Sequence, residues 1–228
     1  MARNALIVGN SDGIGLAVTK ELLQQGWNVI GISRSASPIE DAAYNHHIID
    51  VQATEYVDIV KQVISDINPF DLCIYCVGIG ELLDYANMAQ DETILRVNLV
   101  GLARTVSAVI PQMIDQRHGH FIGLSSVADE MISFDAPSYH ASKAGFSNYL
   151  EGLALALKSK SVTVTNIRFG FVDTKMAKGD VKPFMLSLQQ ATKYIMRCID
   201  KKPIRFTAPK VIVPFIWLRK WAMKFKVL

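Results

Sequence analysis

ALIVGNSDGIGLAVTKELLQQG, residues 5–26, is the stretch on which the fold turns. The apolar run Ala5–Val8 reads as a buried strand, the residues from Gly9 to Gly15 as a tight turn, and Leu16 to Gln25 as a helix stopped at Gly26. Glycines at 9, 13 and 15 let the backbone approach a pyrophosphate, and a helix start favours its charge, so the unit fits a dinucleotide. Ser11, Asp12 and Ile14 complete the loop that would meet the phosphates. The spacing is G-x-x-x-G-x-G rather than the commoner G-x-G-x-x-G, and a glycine turn on its own is often only a turn.

The chain repeats the strand and helix alternation beyond Gly26. Trp27 to Ile32 reads as a second strand ending in Ser33-Arg34-Ser35. An acidic residue there would bind a free ribose 2′-hydroxyl, whereas serine and arginine suit a 2′-phosphate, so NADP(H) is preferred over NAD(H). Asp12 opposes that preference by placing a negative charge in the loop, and Arg34 reads equally as a solvated loop residue. A third strand, His47 to Val51, brings Asp50 to the adenine edge with Val51 beside it. Helical spacing over Thr54 to Asp66 is broken by Asn68-Pro69.

Phe70 to Val77 is nearly continuously apolar, as a central parallel strand buried on both faces should be, and Gly78 closes it. Cys76, Val77 and Gly78 thereby reach the cofactor side. Cys73 and Cys76 form a C-x-x-C, but an odd spacing in a strand sends them to opposite faces, so they read as buried thiols. Asp91 to Gln116 is a long helical pattern with Asn98 among its apolar residues. That amide either bonds a neighbouring backbone or holds a water for proton relay, since burying it unpaired costs about 1–3 kcal/mol. Strand Val162 to Ile167, the turn Phe169-Gly170, Val172-Asp-Thr174 and a helix from Leu186 to Ile199 follow. The whole predicts an α/β fold: one Rossmann-type domain over residues 1–228, a doubly wound parallel sheet of about seven strands with helices on both faces.

The chemistry concentrates in SSVADEMISFDAPSYHASKAG, residues 125–145. If the segment from Ser138 to Leu157 is helical, Tyr139 and Lys143 stand four apart on one face. An ammonium beside a phenol favours phenolate, giving a proton donor usable near neutral pH. Y-x-x-x-K alone is weak, and most such pairs are solvated helix surface. It gains force from Ser126, at the end of the apolar run His120–Leu124, where a hydroxyl can hold a substrate oxygen.

The 228 residues, half hydrophobic and one-fifth charged, suit a single sizeable core. Because the apolar run begins at Ala5, no signal or transit peptide is expected, nor any membrane-spanning length, and a cytoplasmic setting is the default. The histidines show no metal-ligand spacing, so no metal is expected. Charge is unevenly spread: residues 201–228 carry eight Lys or Arg and no acidic residue, against 16 basic and 21 acidic residues before them.

Taken together and in order, these residues resemble the short-chain dehydrogenase/reductase family over about residues 5–200. Gly9, Gly13 and Gly15 match its glycine motif, Asp50 its adenine-contacting acid, and Ser126, Tyr139, Lys143 and Asn98 its catalytic tetrad. The resemblance implies hydride transfer between nicotinamide and a small-molecule carbonyl or alcohol. Tyr139 would give the proton, Lys143 would tune it and bind the nicotinamide ribose, Ser126 would position the oxygen and Asn98 would hold a relay water. It also implies that Gly170, Val172 and Thr174 meet the cofactor and that the protein is a homodimer or homotetramer. Three places depart from the pattern: Val8 stands for a threonine, Tyr75-Cys-Val-Gly78 for Asn-Asn-Ala-Gly, and Phe169 for the proline before Gly170. At the first two, the sheet's supporting hydrogen bonds should differ.

A rival reading is an NADP(H)-binding sensor or scaffold without turnover, although that has no need of Tyr139 and Lys143 together. The segment 201–228 reads as a lid, a subunit contact or, through residues 211–228, a membrane-surface element. Nucleic acid is not expected as a partner, because positive charge is confined to this tail. Met131, Phe134, Met176 and Phe184 line an apolar substrate pocket or belong to ordinary core. The short segment after Thr174 suggests that this pocket is open.

Overall fold

The computed structural model describes residues 2–176 and 184–227. Seven strands form one sheet in the order β3-β2-β1-β4-β5-β6-β7. They are β1 (Asn4–Val8), β2 (Asn28–Ser33), β3 (Tyr44–Ile48), β4 (Leu72–Tyr75), β5 (His120–Ser126), β6 (Thr163–Phe169) and β7 (Arg205–Ala208). Every pairing is parallel. The helices are α1 (Gly13–Gln24), α2 (Tyr56–Ser65), α3 (Ala89–Leu95), α4 (Gly101–Asp115), α5 (Pro137–Ala156), α6 (Leu188–Lys201) and α7 (Ile212–Val227).

Burial on both faces explains the uninterrupted apolar runs. Leu6 and Val8 of β1 join the core under α2, α4 and α5, while Ala5 and Ile7 join the core under α1 and α6. In β4, Cys73 lies on the first face, and Cys76 just beyond the strand packs against the second. The two thiols therefore diverge, as their odd spacing requires.

Strand order reverses between β1 and β4, and a ligand of such a sheet sits beyond the carboxyl ends of its strands at that point. The end of β1 leads into the glycine turn, and the amide of Cys76 beyond β4 donates to Val8 O at 2.8 Å. At the unusual Tyr75, the phenol donates to Val97 O at 2.9 Å, tying the strand to the helix layer above it.

Several boundaries differ from the sequence reading. The third strand ends at Ile48, before Asp50, because Asp50 turns back to accept the amide of Gln52 at 2.8 Å. The long helix is interrupted: Arg96–Val100 forms a π-turn between α3 and α4. By length and the mean hydropathy of 1.4 over one 18-residue window, Ala89–Asp115 would pass for a membrane span, which the sequence reading did not expect. It serves instead as a core helix, with Leu102, Val106 and Val109 buried. The tail adds β7, four residues of mixed character that sequence periodicity does not reveal, and then α7.

Candidate active site

The glycine turn is built so that backbone, not side chains, faces the switch point. Asp12 caps α1 by accepting the Gly13 amide at 2.7 Å. Gly13 has φ +52°, and a side chain there would meet only Thr174, at 3.6 Å, so the space before it is open. Behind it the packing is closed: a Cβ on Gly15 would stand 2.1 Å from Gly9 O, and one on Gly9 2.8 Å from Val77 Cγ2. Ile14 turns into the core, while Ser11 stays partly exposed. An open floor at a helix N-terminus, ringed by Gly9, Gly13, Val77 and Thr174, fits a dinucleotide pyrophosphate.

Asp12 does not stand alone in that loop. Lys175 Nζ lies 2.7 Å from its Oδ2, and this bond, then that from Gly13, holds the carboxyl below its usual pKa. The negative charge expected to oppose phosphate is thus already partnered. Gly170 donates its amide to Ala208 O at 2.9 Å, and Val172 pairs with Leu186, which fixes the loop carrying Thr174. Residues 177–183, in the segment expected to leave the pocket open, lie outside the described residues.

At the far end of the groove, Ser33 is buried and its hydroxyl is turned inward. It donates to Ser35 O at 2.7 Å and lies 3.2 Å from His46 Nε2. His46 Nδ1 is 2.8 Å from the Tyr44 hydroxyl, to which Asn10 Nδ2 donates at 2.6 Å. Arg34 alone of the expected pair faces solvent. Sequence reasoning passed over Tyr44 and His46, although alternate positions of one strand share a face. It also passed over Arg104, whose guanidinium donates to Val51 O at 2.6 Å and Ala53 O at 2.5 Å, pinning the turn after Asp50.

The proposed reacting groups converge around Gly78 to Gly80. Tyr139 and Lys143 rise from the first turns of α5, and Ser126, at the end of β5, brings its hydroxyl near enough to the Tyr139 phenol to lower its pKa. Ser126 also accepts the Ala128 amide at 3.2 Å, which caps the short 3-10 turn Val127–Glu130. The Tyr139 ring leaves no room for a side chain on Gly80, whose Cβ would meet it at 2.9 Å. Lys143 is 4% exposed. Its ammonium donates to Leu124 O at 3.0 Å and lies 4.8 Å from the Phe146 ring centroid.

Electrostatics here depart from expectation. Burial lowers the Lys143 pKa to about 8, against the opposing pull of Asp129 and Cys76. Burial also raises that of Tyr139; the Ser126 hydroxyl lowers it and Asp129 raises it further. The ammonium was expected to favour phenolate. Instead it is turned to the Leu124 carbonyl, 5.9 Å from the Tyr139 ring centroid, and desolvation of the phenol dominates.

Asn98, fully buried in the π-turn, takes the backbone role. Its Nδ2 donates to Ile79 O at 2.8 Å and Ser142 Oγ at 2.9 Å, and its Oδ1 accepts the Ile79 amide at 2.8 Å. A π-turn rotates one residue out of the helical register, a device common at functional sites, and sequence periodicity cannot register it. Of the apolar candidates, Met176 stands over Gly78 and Met131 packs against Ile212 and Ile216. Phe184 stacks on Phe215 with centroids 5.8 Å apart, and Phe134 is exposed.

Comparison with known proteins bears on the fold and the family. A family model described as short chain dehydrogenase matches residues 3–183. An uncharacterized oxidoreductase of Staphylococcus haemolyticus is 29% identical over 187 residues, covering 77% of this chain and 80% of that protein. A 3-oxoacyl-acyl-carrier-protein reductase of Staphylococcus epidermidis is 29% identical over 202 residues, covering 82% and 83%. The crystal structure of a short chain dehydrogenase from Burkholderia cenocepacia in complex with NADP superposes with a TM-score of 0.86. It covers 100% of this chain and 98% of that one at 19% identity.

Proposed function

The chain belongs to the short-chain dehydrogenase family, a family of oxidoreductases, and from that premise we propose that it interconverts a carbonyl and an alcohol with NADP(H). One observation carries the reading: a phenol with a serine hydroxyl beside it and a buried lysine on the same helix face, next to an open glycine turn. When bound, NADP(H) supplies the hydride.

The residues supply the rest. Tyr139 holds the proton given to the developing alkoxide, and Ser126, beside it, positions the substrate oxygen. Lys143, with a pKa near 8, exchanges protons close to neutral pH and keeps positive charge near the phenol. Both Nδ2 hydrogens of Asn98 are committed, so its relay role narrows to the remaining lone pair of Oδ1. That atom and Lys143 Nζ border the same spot, 3.7 and 3.4 Å from where a Gly78 side chain would begin. Gly9, Ser11, Gly13 and Thr174 take the phosphates, Asp50 the adenine edge, and Val172 and Gly170 the nicotinamide side.

Preference for NADP(H) is supported by the exposed Arg34 and by the absence of an acidic side chain from 33 to 36. The NADP found in the Burkholderia cenocepacia protein agrees with it. The Staphylococcus epidermidis relative is named for a 3-oxoacyl substrate, which makes 3-oxoacyl thioesters the first carbonyls to try. A homodimer or homotetramer in the cytoplasm belongs to the same proposal and is read by light scattering and fractionation.

The test pairs NADPH consumption across a carbonyl panel with NADPH binding by fluorescence titration, for the wild type and Tyr139→Phe. The variant should lose turnover and keep its affinity. A variant retaining most of its rate sinks the assignment; a wild type that binds NADPH and reduces nothing in the panel favours the sensor reading.

A further inference from the structure

We propose that α7 and the basic cavity beside it form a docking surface for an anionic phospholipid membrane. Among the described residues the helix has two apolar sides: one packs on the core, and the other keeps most of its surface exposed although Phe215 stacks on Phe184. Ile212 and Ile216, four apart, are buried against Val127 and Met131. Val211, Phe215 and Leu218 recur at the spacing of a second stripe, and they are 52%, 61% and 61% exposed. Trp221, 57% exposed, lies beside that stripe one turn further on. A helix that only covers a core turns a polar face outward, and this one turns aliphatic and aromatic side chains.

Charge says what covers that face. A cavity of about 660 Å³ opens between α6, β7 and the first turn of α7, and Arg197, Lys201, Arg205 and Lys210 line it. No carboxylate lines it among the described residues. Arg205 is paired with Glu151, which leaves Arg197, Lys201 and Lys210 to give the cavity its sign. Lys210 belongs to the cavity and directly precedes Val211 of the exposed stripe, so cations and apolar groups share one surface. Lys220 lies on the other side of the helix, held near Glu130 at 3.5 Å.

An apolar stripe bordered by cations matches the headgroup boundary of an anionic bilayer, where aromatic and aliphatic groups enter and cations stay with phosphate. Segregation of eight basic and no acidic residues into 201–228, with acidic excess elsewhere, orients this face toward such a surface and the remainder away. A second copy of the chain suits the face less well, since self-pairing would set its cations against one another. This docking is independent of the catalytic reading.

Co-sedimentation of the full chain with vesicles containing phosphatidylglycerol, and with vesicles of phosphatidylcholine alone, tests it. Binding to the anionic vesicles should be at least about tenfold tighter, and should weaken as salt is raised. A Phe215→Ser/Leu218→Ser variant and a Lys201→Glu/Lys210→Glu variant should each lose about tenfold of that binding. Circular dichroism and NADPH affinity should stay unchanged in both variants. Equal partition to the two vesicle types, or none to either, overturns the proposal. So does a dimer, seen by light scattering, that the Phe215→Ser/Leu218→Ser variant dissolves.

Discussion

The Lys143 ammonium donates to the Leu124 carbonyl across 3.0 Å, within a site that holds its pKa down to about 8. Because the lysine titrates near 10.5 when exposed, the unfolded chain binds more protons than the folded one between those two values. Folding stability should therefore rise with pH across that window, while below it the burial penalty is fully present. The gain is on the order of 3 kcal/mol. Lys143→Met should remove this rise, measured by urea unfolding at pH 8 and pH 10 without nucleotide; parallel wild-type and variant profiles would refute the buried-amine account.

Asn98 separates a structural from a catalytic role in one side chain. Asn98→Ala strands both the amide and the carbonyl of Ile79, which should cost about 2–3 kcal/mol in urea unfolding at unchanged m. Asn98→Asp keeps the acceptor for the amide but sets a carboxylate oxygen against the Ile79 carbonyl, so it should lose at least as much. If the alanine variant is as stable as the wild type, the amide is not what holds the Ile79 backbone.

What the sequence disclosed follows the physics that wrote it. Two-sided burial makes β1 and β4 continuously apolar, so both were legible. So were α5, and the placement of Tyr139 and Lys143 on one face of it, because helical spacing records which residues share a face. Geometry made by backbone hydrogen bonding left no such trace. The π-turn that aims Asn98 at Ile79 costs no change in composition, and β7 is four residues paired along one edge of β6. Arg104 was passed over, because its partners are three backbone carbonyls that no side-chain pattern announces. The direction of the Tyr139 pKa was also hidden, since spacing reports proximity and not the burial that dominates it.

Gly15 is where the glycine motif is most intolerant. A Cβ there would press on Gly9 O at 2.1 Å and on Asn10 Cα at 3.0 Å, both backbone atoms of the loop. Gly15→Ala should therefore distort the turn, weaken NADPH binding by at least about tenfold and cost about 1–3 kcal/mol of stability. Gly152→Ala, in α5 with nothing within 4 Å of the added carbon, is the control and should stabilise by up to about 1 kcal/mol. Fluorescence titration of both variants checks the contrast, and unchanged affinity in Gly15→Ala would mean that the turn is not the phosphate site.

Arg168 tests how the turn after Ser126 is held. Its guanidinium donates from Nε and Nη2 to the two carboxylate oxygens of Asp129 at 2.6 and 2.7 Å, and both side chains are almost wholly buried. Asp129 also accepts the Ser147 hydroxyl at 2.5 Å, so β6, α5 and the turn Val127–Glu130 meet at one carboxylate. Arg168→Met would leave that charge buried without its main partner and should cost about 3–5 kcal/mol in urea unfolding. The further replacement Asp129→Leu should restore much of the loss, because a desolvated pair is often no more stable than well-packed apolar groups. Asp129 raises the pKa of both Tyr139 and Lys143, so stripping it of its arginine should also move the pH profile of carbonyl reduction upward. A profile that stays in place while stability falls would confine the ion pair to folding and detach it from the chemistry of Tyr139.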